Sequence, residues 1–101
     1  MNEANNNPYE PKETWHVIIS GRVQGVFFRV TTQETAQRLG VTGRIKNRYD
    51  GNVEALFQGN ETQLKRMIDY CHEGPEHARV DQVEVNKHSV SEVYEQFRIV
   101  G

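Results

Sequence analysis

Ile19-Ser20-Gly21-Arg22-Val23-Gln24-Gly25-Val26-Phe27-Phe28-Arg29 reads as the end of a strand, a loop with two glycines and the start of a helix, with an arginine at the junction. The N–H groups of a helix's first turn have no partner inside the helix, and the dipole there is positive. Gly21 and Gly25 permit backbone angles that other residues resist, so several N–H groups can converge on one point. A cradle of N–H groups beside a guanidinium suits a phosphate. The stretch is not a Walker A loop, because no Gly-Lys-Ser/Thr follows. Nor is it a dinucleotide fingerprint, because the glycines stand four apart with no third after them. A strand-to-helix turn with a surface arginine is the plain alternative.

Upstream, Trp15, Val17 and Ile19 alternate with His16 and Ile18, the pattern of a strand buried on one face and partly covered on the other. Downstream, Phe28, Thr32, Thr35, Ala36 and Leu39 fall at helical spacing, and Gly40 is placed just past a helix end. A helix over Phe28–Leu39 is predicted. Val41 to Tyr49 reads as a second strand, with Val41, Gly43, Ile45, Asn47 and Tyr49 on one face and Thr42, Arg44, Lys46 and Arg48 on a solvated one. Asp50-Gly51 signals a two-residue hairpin. Asn52 to Gln58 is its partner, with Val53, Ala55 and Phe57 sharing a face. Asn47 is the anomaly, an amide with the parity of Ile45, and a buried amide needs partners. They could be a nearby loop, a ligand or a water.

Asn60 can cap a second helix, with Gln63 three residues on. Leu64, Met67, Ile68 and Cys71 make its apolar stripe, and Gly74-Pro75 ends it. Val80, Val83 and Val85 mark a further strand with a bulge near Asp81-Gln82. Asn86 to Glu92 reads as a turn region and Val93 to Val100 as a closing strand. The order β-α-β-β-α-β with an extra C-terminal strand is an α+β, ferredoxin-like two-layer sandwich, an antiparallel sheet with two helices on one face. Residues 1–12 are polar, with Asn5-Asn6-Asn7 and two prolines, and read as a flexible tail ahead of a domain over 13–101.

The chain of 101 residues suffices for one domain with a modest core. Its formal net charge of -2 argues against a protein held to nucleic acid by bulk electrostatics, though not against a local positive pocket. A single cysteine, Cys71, rules out an internal disulfide and any multi-cysteine metal site. On the apolar stripe its expected fate is burial. No apolar run approaches membrane length and no apolar leader opens the chain, so a cytoplasmic, monomeric protein without a membrane partner is expected. Asn60-Glu61-Thr62 is formally a glycosylation sequon but is better read as the helix start. His16, His72, His77 and His88 are scattered, without ligand-like spacing. Asp50 and Glu54 read as turn and surface residues.

From about Trp15 to Val100 the chain resembles the acylphosphatases. Gly21 to Arg29 is similar to that family's first signature. Gly43-Arg44-Ile45-Lys46-Asn47-Arg48-Tyr49-Asp50-Gly51-Asn52-Val53, with Gly59 closing it, is similar to the second. The resemblance implies hydrolysis of small acyl phosphates to a carboxylate and inorganic phosphate. By position, Arg29 matches the family's phosphate-binding arginine and Asn47 its catalytic asparagine. Val23, Gln24, Gly25, Val26, Phe27 and Phe28 match its phosphate cradle. Arg44 departs from the usual aromatic, on the face away from Asn47.

These residue types suit that chemistry. Arg29 can hold two phosphate oxygens and the loop N–H groups the rest. Asn47 both donates and accepts, so it can orient a water for in-line attack. The carboxylate leaving group needs no general acid, and Arg29 with the cradle makes a metal or other cofactor superfluous. Two rivals share the element order. An RNA-recognition module needs aromatics in the third strand, and Asn52 to Gln58 lacks that pattern. A metal carrier of this shape needs Cys-x-x-Cys, which is absent. A non-catalytic phosphate- or anion-binding domain would keep every site residue, and only turnover separates it from an enzyme.

Overall fold

The computed structural model describes residues 12–88 and 92–101, without the side chain of His88. The predicted tail thus lies outside the described residues apart from Lys12, as do 89–91 of the expected turn and the side chain of His88. The elements are β1 (Glu13–Arg22), α1 (Phe28–Leu39), β2 (Thr42–Asn47), β3 (Val53–Gly59), α2 (Glu61–Glu73), β4 (Arg79–His88) and β5 (Phe97–Ile99). They form a ferredoxin-like α+β sandwich whose sheet runs β4-β1-β3-β2-β5.

Periodicity explains the layers. In β1, Trp15, Val17 and Ile19 are buried while His16 and Ile18 are half-covered. Across the sheet Ile45, Val53, Ala55 and Phe57 share that inner face, and Phe28 and Ala36 of α1 close on it with Leu64, Met67 and Cys71 of α2. Full burial of side chains of this size contributes about 1.5–3 kcal/mol each. Burial alone pushes the Cys71 thiol up to about 12, so it stays a packing group at neutral pH. Phe57 stacks on Phe97 at 5.7 Å between ring centres.

Several expectations change. The sheet is mixed, because β5 runs parallel to β2. No hairpin joins β4 to β5. Glu92 and Tyr94 lie over the open face, where Gln58 on β3 donates to Glu92 O at 2.8 Å and accepts from Tyr94 N–H at 2.9 Å. A crossing connection is free to deliver either strand direction. That crossing leaves only Phe97–Ile99 as strand where Val93–Val100 was expected, and β4 extends to His88 through part of the predicted turn. The bulge in β4 is as predicted, with Ser20 opposite Gln82 and Gly21 opposite Val80, leaving Asp81 as the extra residue.

The β2–β3 hairpin also differs. Arg48 N–H bonds Asn52 O at 2.8 Å, so the loop is Tyr49-Asp50-Gly51 and not two residues. The Asp50 carboxylate turns back to Asn52 N–H at 3.1 Å and to the Arg48 guanidinium, stabilising the longer turn. These contacts, led by the Asn52 N–H, hold the Asp50 carboxyl below its usual value. Strand β2 therefore ends at Asn47, and Tyr49 stands fully in solvent, not on the apolar face.

Gly43 lets β2 approach its neighbour. A Cβ there would sit 1.8 Å from Leu56 O, at a φ of +138°. Gly43→Ala is expected to lower stability by about 3 kcal/mol or more, read from urea unfolding. An unchanged midpoint would show that the strands can part at little cost.

Candidate active site

Both β1 and β2 run antiparallel to β3, and Val53 stands opposite Ile19 on one side and Asn47 on the other. The C-terminal ends of β1 and β2 therefore meet at one end of the sheet, about 10 Å apart across the strand between them. The glycine loop leaves the sheet there, and Asn47 closes β2 there. Asn47 carries the parity of the fully buried Ile45, which aims its amide toward the helical layer where α1 begins.

A pocket of about 240 Å³ fills this junction, lined by Val23, Gly25, Phe27, Phe28, Arg29, Val30 and Asn47. Two motifs far apart in sequence are thus brought together. Of the expected cradle residues, Gln24 and Val26 do not line the pocket. Val26 is buried. The Gln24 side chain points to the hairpin, where its Nε2 donates to Arg48 O and Asn52 O at 2.9 Å each. It is a clamp between the loop and the residue next to Asn47. Val30 joins the lining from outside the motif. Its place in the first helical turn is the only signal of it in the sequence.

The two helix starts show how this one differs. In α2 the Asn60 side chain accepts from Gln63 N–H at 2.8 Å, the Gln63 side chain accepts from Asn60 N–H at 2.8 Å, and Glu61 sits in the first turn. In α1 the capping position is Phe27, whose side chain makes no capping bond, and no acidic residue occupies the first turn. Among the described residues, the N–H groups of Phe28, Arg29 and Val30 make no backbone bond outside the helix. Arg29 adds a cation where the dipole is already positive. Among the described residues it has no ion pair. The dipole, the Arg29 cation and the lack of an acidic residue in the first turn are together complementary to an anion.

The backbone is shaped for the same purpose. Gly25 has φ 76° and Phe27 has φ 66°. Left-handed turns of this kind let successive N–H groups converge. For phenylalanine the conformation costs about 1–2 kcal/mol. It is braced from behind: Thr31 Oγ1 donates to Phe27 O at 3.1 Å, and Tyr70 of α2 donates to that hydroxyl. Across the pocket, Asn47 Oδ1 is buried and has no hydrogen-bond partner among the described residues. An unsatisfied buried acceptor costs about 1–3 kcal/mol, so its retention needs a reason.

Other polar groups lie elsewhere. His16 contacts the Glu54 carboxylate at 2.6 Å on the open face, and Lys46 approaches the same carboxylate at 3.8 Å. The His16 hydrogen bond, more than charge, holds the Glu54 carboxyl below its usual value. Glu54 is therefore a paired, half-buried group and not a bare surface one. Arg44 is exposed and lies over the Tyr94 ring at 5.9 Å, away from the pocket. Among the described residues no group of three or more His, Cys, Asp or Glu side chains could hold a metal ion. No described helix is long and apolar enough to cross a membrane.

The family model described as Acylphosphatase matches residues 15–99. The chain is 53% identical over 75 residues to an acylphosphatase of Rubrobacter xylanophilus, covering 74% of this chain and 68% of that one. It is 43% identical over 84 residues to an acylphosphatase of Marinobacter nauticus, covering 83% and 91%. Among solved structures, an acylphosphatase from Coxiella burnetii superposes with a TM-score of 0.84 at 36% identity, covering 88% of this chain and 93% of that one. With both signatures folded into one pocket and the match running through nearly the whole described chain, this protein belongs to the acylphosphatase family.

Proposed function

We propose that the pocket hydrolyses small acyl phosphates to a carboxylate and inorganic phosphate, with Arg29 and the N–H groups of the Gly25–Phe28 segment holding the phosphoryl group and Asn47 orienting the attacking water. One observation carries the reading: among the described residues Asn47 Oδ1 is a buried acceptor without a partner, in the same pocket as Arg29, which has no ion pair among them. A water placed there donates one proton to Oδ1 and turns a lone pair toward phosphorus.

The water oxygen bonds to phosphorus in line with the P–O bond to the acyl group. That bond breaks, and the carboxylate leaves with the electron pair. The remaining water proton passes to a phosphoryl oxygen. Carboxylates are weak bases, so no protein acid is needed. Charge on the equatorial oxygens meets a preorganised set of donors. No protein group gains or loses a proton, so kcat is expected to stay flat through neutral pH.

The experiment is hydrolysis of benzoyl phosphate in EDTA. Turnover that survives EDTA supports the reading. Loss of turnover on chelation, restored by magnesium, would overturn its metal-free part. Absence of turnover with inorganic phosphate still bound would favour a non-catalytic anion-binding domain.

Gln24 supplies a further check. Gln24→Ala frees the loop from the hairpin, and misplacing reacting groups by about 1 Å costs on the order of a hundredfold. Steady-state kinetics should show kcat reduced by about tenfold to a hundredfold with the native circular dichroism spectrum retained. Full activity in the variant would remove the clamp from the mechanism.

A further inference from the structure

Phe27 is 77% exposed and Val30 is 45% exposed, yet both line the phosphate pocket. Phe27 belongs neither to the buried core nor to the side chains packed against it, and it holds a left-handed backbone that glycine or asparagine would adopt more readily. Core packing therefore gives no reason for a phenylalanine at that position. Beneath it, Val23 and Phe28 form an apolar floor, each only 1% exposed. Among the described residues the polar side chains of the lining are Arg29 and Asn47, which the proposed reading assigns to phosphate and water. Of the nearby cations, Arg48 is already paired with Asp50 at 3.1 Å.

We infer that Phe27 and Val30 form the acyl subsite and select acyl phosphates with apolar, uncharged acyl groups. The inference rests on the proposed reading of the pocket. An acyl group is joined to the bound phosphorus through a single oxygen, so with the phosphate in the cradle it must lie against the walls of the same pocket. Those walls offer carbon. A methylene chain or an aromatic ring is removed from water there. A tail carboxylate or second phosphate would be desolvated against carbon.

The test is kcat/KM for acetyl, butyryl, hexanoyl and succinyl phosphates, for wild type, Phe27→Asn, Phe27→Leu and Val30→Thr. The straight-chain carboxylates are similar leaving groups, so differences report binding of the tail. Hexanoyl phosphate should be favoured over acetyl phosphate by about tenfold, the scale expected for four methylenes half removed from water. Succinyl phosphate should fall below butyryl phosphate. Phe27→Asn tolerates the left-handed backbone and keeps the N–H, and it should reduce the hexanoyl preference to about twofold. Val30→Thr should reduce it in part, and Phe27→Leu should retain most of it. A hexanoyl-to-acetyl ratio near one in wild type, or the same ratio in wild type and both polar variants, would overturn the subsite while leaving the acylphosphatase reading intact. Failure to hydrolyse any of these compounds, acetyl phosphate included, would overturn that reading and the subsite with it.

Discussion

Asn47→Ala is expected to lower kcat by about a thousandfold, while inorganic phosphate still competes for the pocket within a few-fold of its wild-type affinity. The asymmetry follows from the division of labour. Alanine removes the acceptor that orients the water, so attack depends on chance alignment. In the proposed reading the donors that hold the phosphoryl group all come from the opposite side, from the Gly25–Phe28 segment and Arg29. The variant should also be no less stable than wild type, because it deletes a buried oxygen that has no partner in the free protein. An unchanged or raised melting temperature beside lost turnover would mark Asn47 as retained for chemistry. A cooperative loss of stability would instead mark it as structural. Equal loss of turnover and of phosphate binding would collapse the separate roles of Asn47 and Arg29.

Arg29→Ala should show the other half of that division, with phosphate inhibition abolished and kcat/KM reduced by about ten-thousandfold. A bidentate guanidinium is the strongest single contact available to the phosphoryl oxygens, and its charge opposes the charge that spreads over them during transfer. Arg29→Lys should recover little, because an ammonium carries the charge without the fork. The fold should be unharmed. Arg29 has no ion pair among the described residues and stands in the first turn of α1, where a cation is unfavourable by about 0.3–1 kcal/mol. The melting temperature of Arg29→Ala should equal or slightly exceed that of wild type. Phosphate should raise the wild-type melting temperature and leave that of Arg29→Ala unmoved. Stabilisation by phosphate in the variant would place the anion's main contact on the backbone alone.

Both expectations share a physical basis. This end of the molecule keeps features that work against stability in the free protein: an uncapped helix start, a cation on a positive dipole, a phenylalanine in a left-handed turn and an orphaned amide oxygen. The second helix of the same chain has a complete capping box, so the fold can build a satisfied helix start where nothing has to bind. The contrast says more about the site than any of its features taken singly.

Much of this was legible in the chain. Period-two alternation identified the inner face of β1 and β3, and the stripe Leu64, Met67, Ile68 and Cys71 identified the buried side of α2, because side-chain direction is local geometry. The glycine loop, the arginine after it and the odd parity of Asn47 were visible for the same reason. Less was legible where an outcome depends on a partner distant in sequence. Nothing in Val93 to Val100 announces that only Phe97–Ile99 pairs, since the crossing is held by Gln58 on another strand. Asp50-Gly51 has the letters of a two-residue turn, but the Asp50 carboxylate favours a three-residue loop by bonding Asn52 and Arg48. Nothing in the loop announces that the Gln24 side-chain amide is taken by two carbonyls of the hairpin.

The sequence by itself determined which face of each element is apolar, because periodicity needs no knowledge of neighbours, and its resemblance to two family signatures marked the candidates for the chemistry. Tertiary structure alone decided that Arg29 and Asn47 serve one pocket. That depends on β3 pairing with β1 and β2 in a register that sets Val53 between Ile19 and Asn47, and strand register is a long-range property of the whole sheet. It also decided that Phe27 faces solvent at the pocket's edge. The reason is a left-handed φ that no phenylalanine adopts unaided, held in place by Thr31 and Tyr70 from the helices behind it.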